Sequence, residues 1–291
     1  MLLIGKLSFG LAVFACAAHE SGLGDVVVAS PSFLDGDTSA VYPFLIQQAR
    51  LSSMRYQQVY CASDFSRISP HGGWIRWIEL VPVGSLGGAS ICSSILISLS
   101  TTPKSQDNLS TTFLENVGPD EMTVFGPAPL SVDAPPGSFG RISFTGQFFF
   151  NPTLGNLLMD IRVEAGSPPI MGDYRWDANN QLTDTVSRVY AESNTATIAS
   201  VADSTGLITL FQITPVPSLT AVIKTNSIVI TWPANPDAFV LERADALLPQ
   251  TTWQPITGGY VYDELRTTKI YTIPLDSAGT SGYFRLTTSP P

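Results

Sequence analysis

Charged residues, histidine and long helix-forming runs are scarce in this sequence of 291 residues. Only 13% of the residues are Asp, Glu, Lys or Arg, which is about half of the usual share. Hydrophobic residues nevertheless make up 44% of the chain, and this excludes a disordered protein. Runs rich in Glu, Lys, Ala and Leu are missing, while Val, Ile, Thr, Phe and Tyr dominate between scattered Gly and Pro residues. This composition predicts an all-β protein.

Basic residues are the rarer charged class, with 15 Lys and Arg against 24 Asp and Glu. The formal net charge is −9, and removal of an N-terminal leader that contains Lys6 and no acid would make it −10. Residues 216–291 hold six acids and five bases, so nearly all of the negative surplus precedes them. Because an acidic surface without a basic stripe repels phosphate backbones, nucleic acid is not an expected partner.

The two histidines, His19 and His71, give little scope for catalysis. His71 lies in the turn-like sequence SPHGGW, where a solvated side chain is the expected state. The motifs HExxH, GxxxxGK[ST] and GxSxG are all missing from the sequence. These features predict a non-enzymatic protein without a catalytic residue, a cofactor or a metal. Carboxylates are plentiful, however, so a glycosidase that uses two of them remains an alternative.

Residues 1–18, MLLIGKLSFGLAVFACAA, have the organisation of an export signal. Lys6 precedes an apolar stretch of 12 residues, and small residues at 15–18 suit cleavage after Ala17 or Ala18. The stretch is shorter than the roughly 20 residues that span a bilayer, so we expect a secreted or cell-surface protein without a transmembrane segment. Two alternatives remain: a lipoprotein acylated on Cys16, which Phe14 fits poorly, and a buried N-terminal strand.

Two cysteines remain after cleavage, Cys61 and Cys92. An even number of cysteines in an exported chain predicts a disulfide between them. The alternative is a pair of buried thiols. Neither cysteine has the neighbouring His or Cys residues that a zinc site requires.

The first domain is predicted to span residues 25–214 as a jelly-roll β-sandwich. Residues 141–150 alternate apolar and polar side chains, and residues 157–163 and 94–100 do the same. A period of two over such lengths indicates half-buried strands. Turn-forming sequences separate these strands, and no helical pattern intervenes.

A second domain is predicted over residues 215–291, where the composition changes near Pro215 and Pro217. Ile228, Ile230 and Trp232 alternate with polar residues and are expected to face inward. Further strand patterns occur at residues 239–243, 253–256, 269–275 and 283–286. This pattern favours a small immunoglobulin-like or fibronectin type III-like β-sandwich.

Several stretches of the first domain resemble an uncharacterised jelly-roll domain that recurs in exported proteins of environmental bacteria, often ones with PEP-CTERM sorting tails. They are RYQQVY (55–60) with Phe65, LSTT (99–102), DNLSTTF (107–113) with Asn116 and Gly118, and FFNPTLGNLLMDI (149–161). The resemblance implies export and a β-sandwich, but no reaction and no catalytic residues. The sequence ends in TTSPP, without the Pro-Glu-Pro signal of the sorted members.

The C-terminal part resembles a fibronectin type III-like module of similar proteins. The resemblance rests on Trp232 followed by Pro233, on Trp253, and on the closing YFRL of residues 283–286. It implies no established reaction and no catalytic residues, and in the leading hypothesis below this unit acts as a spacer or docking module.

Residues 74–81, WIRWIELV, are the first candidate ligand site. On a regular strand, Trp77 and Glu79 share a face with Ile75 and Val81, and Arg76 lies on the opposite face. An aromatic plane beside a carboxylate suits a sugar, because the ring covers its C–H face and the acid accepts its hydroxyl hydrogens. The alternative is that Trp77 belongs to the core and that Glu79 pairs with an arginine or a backbone donor.

Residues 172–180, GDYRWDANN, are the second candidate site. Tyr174 and Trp176 supply aromatic rings, and the Asp and Asn residues supply oxygen donors for a glycan or a calcium ion. The spacing does not match an EF-hand. The alternative is that the aromatic residues attach a loop to the sheet.

The leading functional hypothesis is an exported, non-enzymatic protein that binds or scaffolds extracellular glycans. Its expected partner is an extracellular polysaccharide or a surface protein. A carbohydrate-active hydrolase with paired carboxylates is one alternative, and a purely structural protein–protein module is the other.

Overall fold

The computed structural model describes residues 2–4, 13–15, 25–32, 36–46, 50–68, 70–83, 88–135, 137–164, 174–182, 184–217, 219–234, 239–246, 251–264, 268–274 and 282–288. The chain forms two compact units, Asp25–Pro215 and Val216–Pro291, the latter together with Met1–Gly24. The division falls one residue after the predicted boundary. The predicted cleavage and acylation positions, residues 16–18, lie outside the described residues.

Strands account for most of the described chain. In chain order they are β1 (Leu2–Ile4), β2 (Val13–Ala15), β3 (Val26–Ser30), β4 (Thr38–Ala40), β5 (Met54–Tyr60), β6 (Gly73–Leu80), β7 (Gly88–Thr102), β8 (Met122–Ala134), β9 (Gly140–Phe150), β10 (Asn156–Val163), β11 (Trp176–Asn179), β12 (Val186–Ala191), β13 (Val201–Asp203), β14 (Gly206–Leu207), β15 (Thr209–Pro215), β16 (Thr220–Lys224), β17 (Ser227–Pro233), β18 (Phe239–Ala244), β19 (Gln254–Pro255), β20 (Tyr260–Tyr262), β21 (Thr268–Pro274) and β22 (Tyr283–Thr288). Ala62–Ile68 and Phe113–Asn116 are 3-10 helices.

Two antiparallel sheets build the sandwich of the first unit. One has the strand order β13–β12–β5–β10–β7–β8, and the other has the order β3–β15–β6–β9. Alternate residues of both sheets meet in one hydrophobic core, which includes Tyr56, Ile75, Ile97, Met159 and Phe211. A third sheet, with the order β14–β11–β4, adds Trp176, Ala178 and Leu207 to the same core.

Irregular segments cover the outer face of the six-stranded sheet at β5 and β12, whereas Ile91 of β7 and Asp133 of β8 are exposed. Strand β5, which lies inside this sheet, is therefore buried along its whole length. Phe113, from a 3-10 helix, packs there with Val189, Ala191 and Ala199 in a separate apolar cluster. The backbone N–H of Phe113 donates to the Thr197 carbonyl, and that of Ala199 donates to the Thr111 carbonyl. These bonds join the two covering segments to each other.

A buried polar network lies beneath this cover. The Arg55 Nη2 and Nε atoms donate to the two carboxylate oxygens of Asp160 at 2.7 and 3.3 Å. The Gln57 amide nitrogen donates to Asp160 at 2.7 Å, and the Asn116 amide nitrogen donates to Gln57 at 2.9 Å. Arg55 also lies over the Phe113 ring, 4.5 Å from its centroid. Buried charges require such partners, so the network holds the cover and the sheet together.

Gln58 makes the equivalent connection on the core side of β5. Its side chain both donates to the Leu207 carbonyl and accepts from the Leu207 N–H, each at 2.9 Å. The Tyr56 hydroxyl donates to the same amide oxygen at 2.5 Å. Because burial raises the pKa of Tyr56 well above its ordinary value, this hydroxyl remains a donor at physiological pH. Strand β14 is thus attached to β5 without pairing with it.

The second unit also consists of antiparallel sheets. They have the strand orders β19–β18–β22–β1–β2 and β16–β17–β21–β20. Ile228, Ile230 and Trp232 are buried, as predicted, and their cluster includes Leu241 and Phe284. Leu2–Ile4 joins the first of these sheets through Ile4, which lies opposite Phe284.

The predicted all-β class is confirmed, with several antiparallel sheets packed as a sandwich. The predicted strands at residues 94–100, 141–150 and 157–163 fall within β7, β9 and β10. Within the described ranges, no helix is long and apolar enough to cross a membrane. The export signal and the resemblances to jelly-roll and fibronectin-like domains stay predictions.

The predicted disulfide between Cys61 and Cys92 is not formed, and both residues are buried thiols. Cys61 follows Tyr60, which the register connects through Leu157 to Thr101 on β7. Cys92 lies nine residues before Thr101 on that strand, or roughly 30 Å away at 3.3 Å per residue. A disulfide needs Cα atoms within about 7 Å of each other, so the sheet keeps these thiols apart.

The Asp160→Asn substitution tests the buried network. It leaves the Arg55 guanidinium without a counter-ion in a buried position, and we expect the free energy of unfolding to fall by about 3–5 kcal/mol. Chemical denaturation measures this loss. Asp133→Asn is the matched control because Asp133 is exposed on β8. Equal stability of the two variants would contradict a structural role for the ion pair.

The state of the thiols can be tested by peptide mapping. After unfolding without reductant, iodoacetamide should modify both Cys61 and Cys92, because neither is part of a disulfide. The native protein should react much more slowly, since both thiols are buried. Recovery of a peptide pair linked through Cys61 and Cys92 would show that the arrangement of β5 and β7 is wrong.

Candidate functional site

A β-bulge in β6 determines which side chains reach the outer face of the four-stranded sheet. Gln212 lies opposite Trp77, but the next residue of β15, Ile213, lies opposite Ile75. Arg76 is therefore an extra residue. Since Ile75 and Ile78 are both buried, Arg76 and Trp77 are consecutive residues on the outer side. The predicted grouping of Trp77 with Ile75 is thus wrong, although Trp77 and Glu79 do share a face.

Two aromatic groups lie on this outer face, and all of their rings are half-buried. The Trp74 and Phe149 rings contact each other with their centroids 5.1 Å apart. The Arg141 guanidinium lies over the Trp77 ring, 4.9 Å from its centroid. We call the surface formed by Trp74, Arg76, Trp77, Glu79, Arg141 and Phe149 the aromatic face.

The Glu79 carboxylate holds the Arg141 guanidinium in place. The Arg141 Nε and Nη2 atoms donate to the same oxygen, Glu79 Oε1, at 2.9 and 2.7 Å. The Arg141 side chain is 57% exposed, so this ion pair contributes little to stability. Its main effect is to orient a flat, charged donor group beside the aromatic rings.

Two polar atoms next to the bulge have no partner among the described residues. They are Arg76 Nε and Gln147 Oε1, and both atoms are buried. Gln147 lies on β9, opposite the bulge of β6. The residues between Ser143 and Phe148 form the part of β9 that spans this bulge. A buried donor or acceptor without a partner costs about 1–3 kcal/mol, so the bulge carries one unsatisfied donor and one unsatisfied acceptor at this cost.

The second candidate site has a different environment from the first. Trp176 is fully buried in the core, and a Cβ atom at Gly140 would lie 2.6 Å from its ring. Trp176 therefore cannot stack on a sugar in this structure. Tyr174 is half-buried and packs against the same core. The structure brings Trp77 and Glu79 together on the aromatic face and keeps Tyr174 and Trp176 apart from them as packing residues.

The oxygen atoms of this second segment accept hydrogen bonds from nearby backbone groups. Asp177 accepts from the Gly36 and Ala178 N–H groups, and Asn179 accepts from the Gln181 N–H. Residues 172 and 173 lie outside the described residues. In the part of the chain that the structure describes, no group of three or more His, Cys, Asp or Glu side chains is placed to hold a metal ion.

Among the described residues, Asp184 has the carboxyl group whose pKa departs most from its ordinary value. Burial raises its pKa from 3.8 to about 6, and the nearby Asp107 and Asp37 carboxylates also raise it. The Val186 N–H donates to Asp184 Oδ1 and opposes this shift. Asp184 Oδ2 is buried and has no partner within the described ranges.

Sequence reasoning identified Trp77 and Glu79 but missed the other members of the aromatic face. Trp74 precedes Trp77 by three residues, which would place the two on opposite sides of a regular strand. Only the bulge brings them together. Phe149 was recognisable, because it alternates with the inward Phe148 and Phe150 and is a large aromatic residue on the polar side of β9.

No protein-family model matches this chain, and no curated protein matches it. The chemistry of the aromatic face therefore carries the functional argument. Its essential features are flat rings, an oriented guanidinium and two unsatisfied polar atoms.

The stability of the protein should depend on the ionisation of Asp184. Its folded pKa lies above its ordinary value, so the unfolded state loses this proton first and stability falls as pH rises from 3.8 to about 6. Asp184→Asn removes this dependence and keeps an acceptor for the Val186 N–H. We expect the variant to be more stable than the wild type by about 1 kcal/mol at pH 7, with no difference below pH 3.8.

Urea denaturation at several pH values measures this difference. Asp133→Asn is again the control, because this exposed substitution should leave the pH profile unchanged. A variant that is less stable than the wild type at pH 7 would show that the Asp184 carboxylate stabilises the fold.

Proposed function

We propose that this protein is an exported, non-enzymatic bacterial surface or matrix protein that binds an extracellular polysaccharide through the aromatic face. The observation that carries the proposal is the β6 bulge, which places two tryptophans and Arg76 on the outer face of one sheet, beside Arg141 of β9. Stacking on a sugar requires a partly exposed ring, and Trp74, Trp77 and Phe149 are only half-buried.

The spacing of the rings supports a polymeric ligand. Trp74 and Trp77 are three residues apart on β6, which is at most about 10 Å at 3.3 Å per residue. Their rings belong to two separate groups, one with Phe149 and one with Arg141. An extended saccharide can contact both groups with successive sugar rings.

The polar atoms of the face support a hydroxyl-rich ligand. Sugar hydroxyls both donate and accept hydrogen bonds, so they suit the acceptor Gln147 Oε1 and the donor Arg76 Nε once side-chain movement exposes these buried atoms. Arg141 is more than half exposed and retains N–H groups that do not bind Glu79. The face thus combines apolar planes with donors and acceptors, as polysaccharide recognition requires.

The second unit also contains an arginine that lies over a tryptophan ring and is held by a glutamate, but with fewer aromatic rings around it in the described part of the chain. Arg285 lies over Trp253, 4.4 Å from the ring centroid, and donates to Glu242 at 2.5 Å. Among the described residues, one aromatic ring, that of Trp253, takes part in this group, in contrast to the three rings of the aromatic face. In the proposed function, the second unit acts as a spacer or docking module.

Binding can be measured by screening the purified protein on a polysaccharide microarray and titrating the hits by calorimetry. We expect Trp74→Ala and Trp77→Ala each to weaken binding by about fivefold, since an aromatic contact contributes on the order of 1 kcal/mol. Trp77→Phe, which retains an aromatic plane, should keep most of the affinity. Circular dichroism checks that each variant is folded.

Trp253→Ala is the matched control. Trp253 belongs to the second unit and lies beneath Arg285, which Glu242 holds in place, so the substitution removes a tryptophan from a similar group elsewhere. It should bind like the wild type. Loss of binding in this variant but not in Trp77→Ala would contradict the proposed site. Release of reducing ends would contradict a non-enzymatic role, and failure to bind any polysaccharide would contradict the proposal as a whole.

A further inference from the structure

We infer that the polysaccharide carries carboxylate groups and that Arg76 binds one of them; this inference rests on the proposed function. Arg76 is a half-buried arginine at the bulge, between Trp74 and Trp77. Among the described residues, no acidic side chain pairs with it, and its buried Nε atom has no hydrogen-bond acceptor.

Three of the other half-buried arginines in the described chain have an acidic partner, and so do the buried Arg55 and the exposed Arg141. The ion pairs are Arg55–Asp160, Arg141–Glu79, Arg188–Asp203, Arg243–Asp245 and Arg285–Glu242. An arginine cannot lose its charge at accessible pH, so partial burial without a counter-ion is unfavourable. A carboxylate from the ligand would remove this cost and fit the planar guanidinium.

The local charge of the aromatic face agrees with an anionic ligand even though the whole chain is acidic. Arg76 and Arg141 outnumber Glu79, so the face has one positive charge in excess, against a formal net charge of −9 for the chain. At physiological ionic strength, screening limits charge interactions to about 8 Å. A ligand on the face therefore responds to Arg76 and Arg141 more than to distant carboxylates.

Gln147 completes the recognition of a sugar acid. Its unpartnered Oε1 atom lies in the part of β9 that spans the bulge and accepts hydrogen bonds only. It suits a hydroxyl of the sugar ring, whereas the guanidinium suits the carboxylate. The two groups together distinguish a uronic acid residue from a small inorganic anion, which has no hydroxyl to donate.

The inference can be tested with two probes that share a backbone. Polygalacturonate oligosaccharides carry one carboxylate per sugar, and their fully methyl-esterified form carries none. We expect the wild type to bind the acid form about tenfold more tightly than the ester, because a charged hydrogen bond is lost in the ester. Raising the salt concentration from about 50 to about 500 mM should weaken only the binding of the acid form.

Arg76→Gln should abolish the preference by weakening acid-form binding about tenfold, with ester binding unchanged. Arg162→Gln is the matched control, because Arg162 is also half-buried with an unpartnered Nε but lies on β10 of the other sheet. It should retain the preference. Equal affinity of the wild type for both probes, or loss of the preference in Arg162→Gln alone, would overturn the inference.

The two proposals fail in different ways. If both probes bind equally and Trp77→Ala weakens both, the aromatic face binds polysaccharide but not through a carboxylate. If neither probe nor any polysaccharide on the microarray binds, the proposed function fails and the inference fails with it. The comparison of acid and ester on the wild type needs no variant, so a misfolded substitution leaves the test intact.

Discussion

The buried ion pair between Arg55 and Asp160 constrains most of the first unit. Neither charge is tolerated alone beneath the covering segments, so the groups that complete their hydrogen bonds must also keep their positions. Gln57 does this through its side-chain amide, which in turn accepts from Asn116, and the Ala196 carbonyl does it through the backbone. Irregular segments thereby acquire one defined path over β5, and the protein itself occupies that part of the outer face of the sheet.

The two sheets of the first unit consequently have different roles. The six-stranded sheet is packed on both sides at β5, with Gln58 attached to Leu207 in the core and Arg55 attached to Asp160 outside. The four-stranded sheet contributes one side to the same core and leaves half-buried aromatic rings on its other side. A rigid core beneath that second surface limits the movement of Trp74 and Trp77, which reduces the entropy lost when a ligand binds.

The sequence predicted the regular strands better than the bulge and the contacts between residues that are distant in sequence. Alternation in β9 and β10 identified strands and their inward faces because this pattern depends only on neighbouring residues. The bulge at Arg76 depends instead on pairing with β15 and β9, so one inserted residue changed the expected faces of β6. The burial of Trp176 and the separation of the cysteines likewise depend on contacts distant in sequence. Five residues of the stretches that carry the jelly-roll resemblance do meet in space, in the buried network: Arg55, Gln57, Phe113, Asn116 and Asp160.

The bulge also has an evolutionary consequence. Without Arg76, β6 would pair with β15 in continuous register, and Trp74, Trp77 and Glu79 would still alternate with the buried isoleucines. Loss of that single codon would thus delete a cation from the surface while the pairing of β6 with β15 stayed continuous, and gain of it would have the reverse effect. The pairing of β6 with β9 would stay irregular, because residues 144–147 of β9 also lie outside the register. The charge of this surface therefore depends on one residue whose removal preserves one of the two strand pairings of β6.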